Sequence, residues 1–296
     1  MKRNIWGLNL QELETWVVGN GFPRFRAKQL RDYLYKRHIF HFDEMTQFSQ
    51  KMRDWLKENG QIDKPVIISR AQSDDEKTIK LLLKLKDGSL VETVCMCHHY
   101  GNSICVSTQV GCAMGCIFCA STRKRLERNL TAGEILAQMY AFKELYDIPF
   151  HSIVLMGAGE PLTNYKEVLH FIHLANDPEL LNISYRNITI STCGIVPQIY
   201  RLADENIPIT LAISLHAPND RIRNVLVPIS KNFRIKDVVS AAEYYFKKTK
   251  RRVTFEYILI KDMNASVENA KELCRLIGKM PVSYTHLRAH ETDQYL

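Results

Sequence analysis

Five short apolar segments, separated by stretches of helical sequence, most constrain how this chain can fold. They lie at residues 104–108, 152–156, 188–192, 209–215 and 253–260. The clearest helical stretch begins at Thr131, which forms a capping box with Glu134 ahead of an apolar stripe. Alternating strands and helices predict an α/β fold with a parallel sheet. Its chemistry is expected at the carboxyl ends of the strands.

A small helical unit is predicted for residues 1–62. Its second helix carries basic side chains and one tyrosine on a single face: Arg24, Lys28, Arg31 and Tyr35. Such a face can bind an RNA backbone and stack on a base. It can equally be a solvated charged surface, so the helix alone leaves both interpretations open.

Residues 63–100 have a different pattern, which predicts a β-strand extension. Two strand-like runs, at residues 80–85 and 90–96, are separated by the turn sequence of residues 86–89. A short polar turn that contains glycine between two such runs is typical of a β-hairpin.

The charge balance favours a polyanionic partner. There are 40 Lys and Arg residues against 32 Asp and Glu, which gives a net charge of +8. Neutralising phosphates is the usual role of such an excess, so RNA or DNA is the expected class of partner. No run approaches the ~20 apolar residues of a membrane helix. We therefore expect a cytoplasmic protein whose eight cysteines are thiols or metal ligands rather than disulfides.

Three cysteines follow the first core strand with the spacing C-x3-C-x2-C: Cys112, Cys116 and Cys119. Three thiolates can bind three irons of a [4Fe–4S] cluster and leave the fourth iron open to an external ligand. A closed zinc site needs four ligands. Residues 95–99, which contain two cysteines and two histidines, could complete one, so zinc stays an alternative.

Glycines and polar side chains follow the next three core strands. Gly159 and Glu160 come after the second, Ser191 ends the third, and Ser214 and His216 end the fourth. Glycine permits close backbone approach, a carboxylate can accept a hydrogen bond from an ammonium group, and hydroxyls suit a ribose. Each feature alone is more often a turn or a structural hydrogen bond. Together with the cysteine loop, they predict one ligand site at four consecutive strand ends.

The cysteine spacing, with an aromatic residue before the last cysteine, resembles the radical S-adenosylmethionine (SAM) superfamily. Further motifs narrow the resemblance to the RlmN-type RNA adenine C2-methyltransferases. These motifs are residues 25–30 (FRAKQL), 42–46 (FDEMT), 91–94 (VETV), 105–112 (CVSTQVGC), 128–130 (RNL), 159–162 (GEPL) and 214–220 (SLHAPND). The resemblance implies a partial (β/α)6 radical SAM barrel, of which about five strands are expected here, with an N-terminal helical domain and a β-hairpin extension.

The resemblance also implies roles for individual residues. The implied ligands of a [4Fe–4S] cluster are Cys112, Cys116 and Cys119. The implied contacts to S-adenosylmethionine are Gly159, Glu160, Ser191, Ser214, Leu215 and His216. Cys105 matches the cysteine that resolves a protein–RNA crosslink, and Glu92 matches the glutamate that accepts a proton. Cys193 and Cys274 match no catalytic cysteine of the family and are interpreted as structural.

The implied activity is methylation of C2 of an adenosine in 23S rRNA and in tRNA. C2 lies between two ring nitrogens and is too electron-poor to attack the methyl group of SAM, which is why a radical is needed. An electron donor such as flavodoxin or ferredoxin, a monomeric state and no membrane association are expected. Alternatives are a C8-methylating Cfr-type enzyme, another radical SAM enzyme such as a protein activase, and a zinc-containing RNA-binding module. The run at residues 217–220 favours the C2 type.

Residues 282–296 depart from the family pattern. The family continues there with a sixth strand and later a methyl-carrying cysteine. Residues 283–296 instead lack apolar periodicity and cysteine, and resemble translated adapter sequence. A genuine divergent tail is the alternative. We therefore expect a non-native tail after a core of residues 101–281, an open sixth strand position, and no methyl transfer by this chain even with an intact cluster.

Overall fold

The computed structural model describes residues 2–146, 148–278, 280 and 282–288, the last segment by its backbone. The predicted fold class is confirmed, because helices alternate with the strands of a largely parallel sheet. Within the described residues, no helix is both long enough and apolar enough to cross a membrane.

The N-terminal unit is helical, as predicted. Its elements are β1 (Arg3–Asn4), α1 (Leu10–Val18), α2 (Phe25–Tyr35), α3 (Gln50–Asn59) and β2 (Gly60–Gln61), with a 3₁₀ turn at Phe42–Glu44. Asn9 and Glu12 form a capping box at the start of α1, and Ser49 caps α3. These caps satisfy backbone N–H groups that have no partner inside the helix. Strands β1 and β2 pair in parallel and join the two ends of the unit.

The basic face predicted for α2 is divided in the structure. Arg24 and Lys28 are exposed, whereas Arg31 and Tyr35 are buried. The Arg31 Nη2 atom lies 2.6 Å from an Asp177 carboxylate oxygen in the core. The Tyr35 hydroxyl accepts a hydrogen bond of 2.8 Å from the backbone N–H of Gly7. Arg31 and Tyr35 therefore have structural roles: Tyr35 bonds within the N-terminal unit, and Arg31 joins this unit to the core.

An antiparallel meander follows and leads into the core sheet. Its strands are β3 (Val66–Gln72), β4 (Thr78–Lys84), β5 (Leu90–His98) and β6 (Gly101–Cys105). The predicted hairpin is β4 and β5. Next come β7 (Gln109–Val110) and β8 (Arg128–Asn129), which pair as a short separate ribbon on either side of the cysteine loop. A 3₁₀ turn at Ala120–Arg123 lies inside that loop.

The alternating part of the chain contains four of the five predicted core strands; the first, predicted at residues 104–108, is β6, which ends earlier, at Cys105. In order, its elements are α4 (Ala132–Tyr146), β9 (Phe150–Leu155), α5 (Tyr165–Asn176), β10 (Ile188–Thr192), α6 (Val196–Asp204), β11 (Thr210–Ser214), α7 (Asp220–Leu226), α8 (Ile235–Thr249), β12 (Val253–Leu259), α9 (Val267–Ile277) and β13 (Val282–Arg288). The 3₁₀ turns are Pro161–Asn164, Tyr185–Asn187 and Pro228–Asn232. The sheet order is β13-β12-β11-β10-β9-β6-β5-β4-β3, and β6 with β9 to β13 runs parallel.

Strand β13 corrects the expected number of core strands. It pairs in parallel with β12 along its length, from Val253 with Val282 to Leu259 with Arg288. The expectation of an open sixth position is therefore wrong. Side-chain periodicity was the reason for that expectation, but an edge strand offers backbone N–H and C=O groups that any extended segment can satisfy. The sheet itself stays open, with β13 and β3 as its edges within the described part of the chain.

The N-terminal unit approaches α4 through two glycines. A Cβ added to Gly7 would lie 2.3 Å from the Cα of Gly133, and one added to Gly133 would lie 2.3 Å from the carbonyl oxygen of Trp6. Gly7 also has a φ of +87°. No side chain fits between the two backbones, so this contact fixes where the unit sits on the core.

We expect Gly133→Ala to lower the free energy of unfolding. In a free helix this change would stabilise by about 0.5–1 kcal/mol. Here the overlap with the Trp6 carbonyl must be relieved, and overpacking typically costs about 1–3 kcal/mol. The steric term is the larger, so equilibrium urea unfolding should show a net loss of stability. A gain, as helix propensity alone predicts, would contradict the close contact.

Candidate active site

One pocket, of about 290 Å³, lies at the carboxyl ends of the parallel strands. Among the residues that line it are those singled out from the sequence: Cys112, Cys116, Cys119, Gly159, Glu160, Ser191, Ser214 and His216. They come from the cysteine loop and from the ends of β9, β10 and β11. The sheet thus brings together residues as far apart in the chain as Cys112 and His216.

The cysteine loop is held from both sides. Gly111 has a φ of +74°, and a Cβ there would lie 2.1 Å from the Arg125 carbonyl oxygen, so the start of the loop requires glycine. The Ile117 N–H donates a hydrogen bond of 3.1 Å to the carbonyl oxygen of Leu226, at the end of α7. Cys112 and Cys116 are buried and Cys119 is half-buried. The loop is therefore fixed against α7 with its thiols on the pocket.

Arg223 places a buried positive charge behind this loop. Its side chain is fully buried, and its Nη1 has no hydrogen-bond partner among the described residues. Burial lowers the pKa of Arg223, and the neighbouring Cys193 and Cys116 thiols act in the opposite direction. A buried charge is costly unless an opposite charge is near. Three thiolates around a [4Fe–4S] core carry net negative charge, so the donor set and its surroundings fit such a cluster.

The zinc alternative that used residues 95–99 is wrong. Cys95 pairs with Ile104 and Cys97 with Asn102 along β6. None of residues 95–99 lines the pocket that the cysteine loop faces. Across the residues that the structure describes, no three His, Cys, Asp or Glu side chains are grouped so that they could hold one metal ion.

Glu160 is a carboxylate fixed inside the pocket wall. It is 2% exposed. One oxygen accepts a hydrogen bond of 2.7 Å from the Cys193 N–H, and the other accepts one of 3.0 Å from the Leu162 N–H. Burial raises the pKa of Glu160, while these two N–H groups oppose the rise. Gly159, with a φ of +107°, brings the backbone against Gln109 and so aims the glutamate. A buried carboxylate in this position can bind a ligand ammonium group.

Ser191 and Ser214 share a partner that sequence reasoning missed. Both hydroxyls donate to the same oxygen of Glu256, each over 3.1 Å. Glu256 lies on β12, lines the pocket, and has its pKa raised by burial. The two serines therefore present their hydroxyl oxygens beside a buried carboxylate, a polar wall suited to ligand hydroxyls. A charged residue inside an otherwise apolar strand is the sequence signal that could have revealed Glu256.

His216 is buried and neutral at physiological pH. Its Nδ1 accepts a hydrogen bond of 3.2 Å from the Ile258 N–H, so its proton is on Nε2. Burial lowers the pKa of His216 to about 3, and the charge of Arg223 acts in the same direction. Its ring meets the Phe118 ring edge to face, with centroids 4.7 Å apart. Leu215, in contrast, has a fully buried side chain. Its backbone N–H donates a hydrogen bond to the Glu256 carbonyl oxygen, and its carbonyl oxygen accepts one from the Arg223 side chain.

We expect His216 to make the apo-protein less stable in mild acid. The unfolded histidine titrates near 6.5, and the folded one near 3. Between these values the unfolded chain binds more protons, so the free energy of unfolding falls as the pH falls, by up to about 1.4 kcal/mol per unit. His216→Asn, which keeps an acceptor for Ile258, should flatten this slope. Other titrating groups cancel when the two proteins are compared.

Urea unfolding at pH 5 and pH 7 measures this slope. His99→Asn, at the exposed turn between β5 and β6, is the control and should behave like the wild type. An identical pH dependence in His216→Asn would contradict a neutral buried His216.

Cys105 and Glu92 lie on the same face of the sheet. Val94 pairs with Cys105 across β5 and β6, and Glu92 is two residues from Val94. Burial raises the pKa of the Cys105 thiol to about 11, and the charge of Glu256 adds to the rise, so this thiol is protonated at neutral pH. The Glu92 side chain is half-exposed and lies 3.2 Å from the Lys80 ammonium. Neither residue lines the pocket among the described positions.

Cys193 is closer to the loop cysteines than its sequence context indicated. It ends β10, lines the same pocket, and its Sγ lies 3.8 Å from the Sγ of Cys116. Cys274, in contrast, is exposed on α9. The sequence interpretation treated both as structural, because spacing along the chain does not show which strand end faces the loop.

Comparison with known proteins identifies the family. The Radical SAM superfamily model matches residues 106–274, and the model of the ribosomal RNA large subunit methyltransferase N-terminal domain matches residues 3–62. A probable dual-specificity RNA methyltransferase RlmN of Clostridium novyi is 48% identical over 275 residues, which are 93% of this chain and 80% of that protein. The chain belongs to the RlmN family of radical SAM methyltransferases. A Clostridium perfringens RlmN is 47% identical over 94% of this chain and 80% of its own length.

A solved structure supports the same membership in the RlmN family. The crystal structure of a radical SAM methyltransferase from Sphaerobacter thermophilus matches with a TM-score of 0.90 and 39% identity, over 96% of this chain and 84% of that one. As a member of the RlmN family, the protein is a SAM-dependent RNA methyltransferase. Its cofactors are a [4Fe–4S] cluster and S-adenosylmethionine.

Proposed function

We propose that this enzyme methylates C2 of adenosine, at A2503 of 23S rRNA and at A37 of tRNA. The observation that carries the proposal is the convergence of the three loop cysteines with Glu160, Ser191, Ser214 and His216 on one pocket. The relatives named dual-specificity RNA methyltransferases support two RNA substrates rather than one.

The pocket supplies a place for each part of the cofactors. We propose that Cys112, Cys116 and Cys119 hold the cluster, and that Glu160 accepts hydrogen bonds from the ammonium group of SAM. Gly159, Ser191, Ser214, the Leu215 backbone and His216 surround the rest of the molecule. When bound, the cluster supplies the electron that splits SAM and generates a radical. The buried wall around Glu256 would limit the access of water to this part of the pocket.

Cys105 and Glu92 are proposed to act on the RNA. Cys105 is the thiol that releases the RNA from its covalent link to the protein, and Glu92 is the acceptor of the proton from the adenine ring. A protonated Cys105 must first lose its proton, and the negative charge of Glu256 opposes that loss by raising the pKa of the thiol. Glu92 is exposed enough to meet a bound base.

Residues 1–62 are proposed as an RNA-binding unit beside the β extension of residues 63–100 and a core of residues 101–281. The exposed side chains of Lys28, Lys36 and Arg37 line a groove of about 510 Å³. The net charge of +8 supports contacts to phosphates. A cytoplasmic monomer that receives its electron from a flavodoxin or ferredoxin completes the proposal.

Mass spectrometry of nucleosides tests the assignment. Cells without their own enzyme receive either residues 1–296 or the same chain with residues 282–296 replaced by the C-terminal segment of the Clostridium novyi relative. We expect 2-methyladenosine in rRNA and tRNA from the chimeric chain. Methyl at C8 would favour the Cfr-type alternative, and no methyl would contradict the proposal. The prediction that residues 1–296 alone transfer no methyl is tested by the first strain.

A further inference from the structure

The Cys193 thiol contacts a proposed cluster ligand directly. Its Sγ is 3.8 Å from the Sγ of Cys116, within hydrogen-bonding distance for two sulfur atoms. It lies at the end of β10, on the wall that also carries Ser191. Cys193 is thus a fourth thiol beside the three of the loop, from a different part of the chain.

The backbone of Cys193 is held on both sides. Its N–H donates to Glu160 over 2.7 Å, and its carbonyl oxygen accepts from the Arg223 Nη2 over 2.5 Å. Both partners are themselves buried. Two buried, charge-assisted hydrogen bonds therefore fix the backbone position from which the thiol reaches Cys116.

Cys193 is the donor in this contact once Cys116 is a cluster ligand. A ligand cysteine is a thiolate and carries no proton, so the hydrogen between the two sulfurs, 3.8 Å apart, can come only from Cys193.

We propose that Cys193 donates an S–H···S hydrogen bond to the Cys116 thiolate and thereby raises the reduction potential of the cluster. This inference rests on the proposed assignment of Cys116 as a cluster ligand. Hydrogen bonds to ligand sulfurs are among the factors that set the potential of iron–sulfur clusters. Reduction adds negative charge, which strengthens the hydrogen bond and so stabilises the reduced form. Cys193 is therefore a positioning residue that eases the electron transfer needed to split SAM.

The geometry does not suit Cys193 as a fourth ligand. In a cube with one cysteine per iron, ligand sulfurs on neighbouring irons lie farther apart than the contact between Cys116 and Cys193. Two thiolates this close would instead share one metal ion. The proposal therefore leaves the fourth iron free for SAM and makes metal content a decisive measurement.

The test compares Cys193→Ala, which removes the donor, with Cys193→Ser, which keeps one. Each full chain is reconstituted anaerobically with iron and sulfide, its iron content is measured, and its midpoint potential is determined by an EPR-monitored redox titration. Cys274→Ala is the matched control on the exposed thiol. We expect full iron content in all of them, a lower midpoint potential in Cys193→Ala, a smaller decrease in Cys193→Ser, and no shift in the control.

Two results would overturn the inference alone. An unchanged midpoint potential in Cys193→Ala would show that the hydrogen bond from Cys193 does not affect the potential of the cluster. Loss of iron in Cys193→Ala, with a full cluster in the wild type, would make Cys193 a ligand. If the wild-type chain itself assembles no four-iron cluster, the proposed assignment of the cluster ligands is wrong, and the inference about Cys193 is then wrong as well. Circular dichroism of each variant separates loss of iron from loss of fold.

Discussion

Cys116→Ser leaves the protein folded but without its cluster: this is the largest effect we expect. A hydroxyl is a hard, poorly ionised ligand, whereas iron in these clusters is held by thiolates. Loss of a residue that only hydrogen-bonds to a metal ligand already lowers metal affinity roughly 10–100-fold. Loss of a direct ligand should lower it further. Iron and sulfide per chain, and the EPR signal after reduction, should fall to background.

The neighbouring cysteines provide the comparison for this result. Cys112→Ser and Cys119→Ser should behave like Cys116→Ser, because each thiolate is proposed to bind a different iron. Cys274→Ser, on an exposed helix, should retain the full cluster. If one of the three loop variants kept four irons and the wild-type EPR signal, that cysteine would not be a ligand.

Glu160→Gln is expected to weaken SAM binding about 10–100-fold. The change keeps an acceptor for a buried N–H but removes the negative charge that faces the ammonium group. Hydrogen bonds to charged groups contribute about 1.5–3 kcal/mol, which converts to that range of dissociation constants. The measurement is a titration of the reconstituted, reduced protein with SAM, followed by the change in its EPR spectrum.

Two controls distinguish weaker SAM binding in Glu160→Gln from a general loss of structure: the iron content of this variant, and a substitution of a distant glutamate. Glu160→Gln should still bind its full complement of iron, because Glu160 is not a proposed ligand. Glu243→Gln, whose carboxylate pairs with Lys247 on the exposed side of α8, should bind SAM like the wild type. Equal SAM affinity in Glu160→Gln and Glu243→Gln would show that Glu160 does not bind the ammonium group of SAM.

The parallel strands could be predicted because their signal is local. A run of β-branched and apolar residues followed by a helix is typical of a strand buried on both faces, whatever surrounds it. The predicted strand at residues 188–192 coincides with β10. Strand β13 was not predicted, since its pairing depends on the free backbone of β12 rather than on its own side-chain pattern.

The sequence by itself determined the α/β class, the three-cysteine loop and the order in which polar strand ends follow one another. Spacing along the chain is enough for these, because each depends on neighbours a few positions away. Only the tertiary structure decided that Glu256 joins Ser191 to Ser214, that Cys193 meets Cys116, and that Arg223 is buried behind the loop. Those contacts join separate strand ends, and a parallel sheet sets such distances through register and strand order, which no short segment encodes.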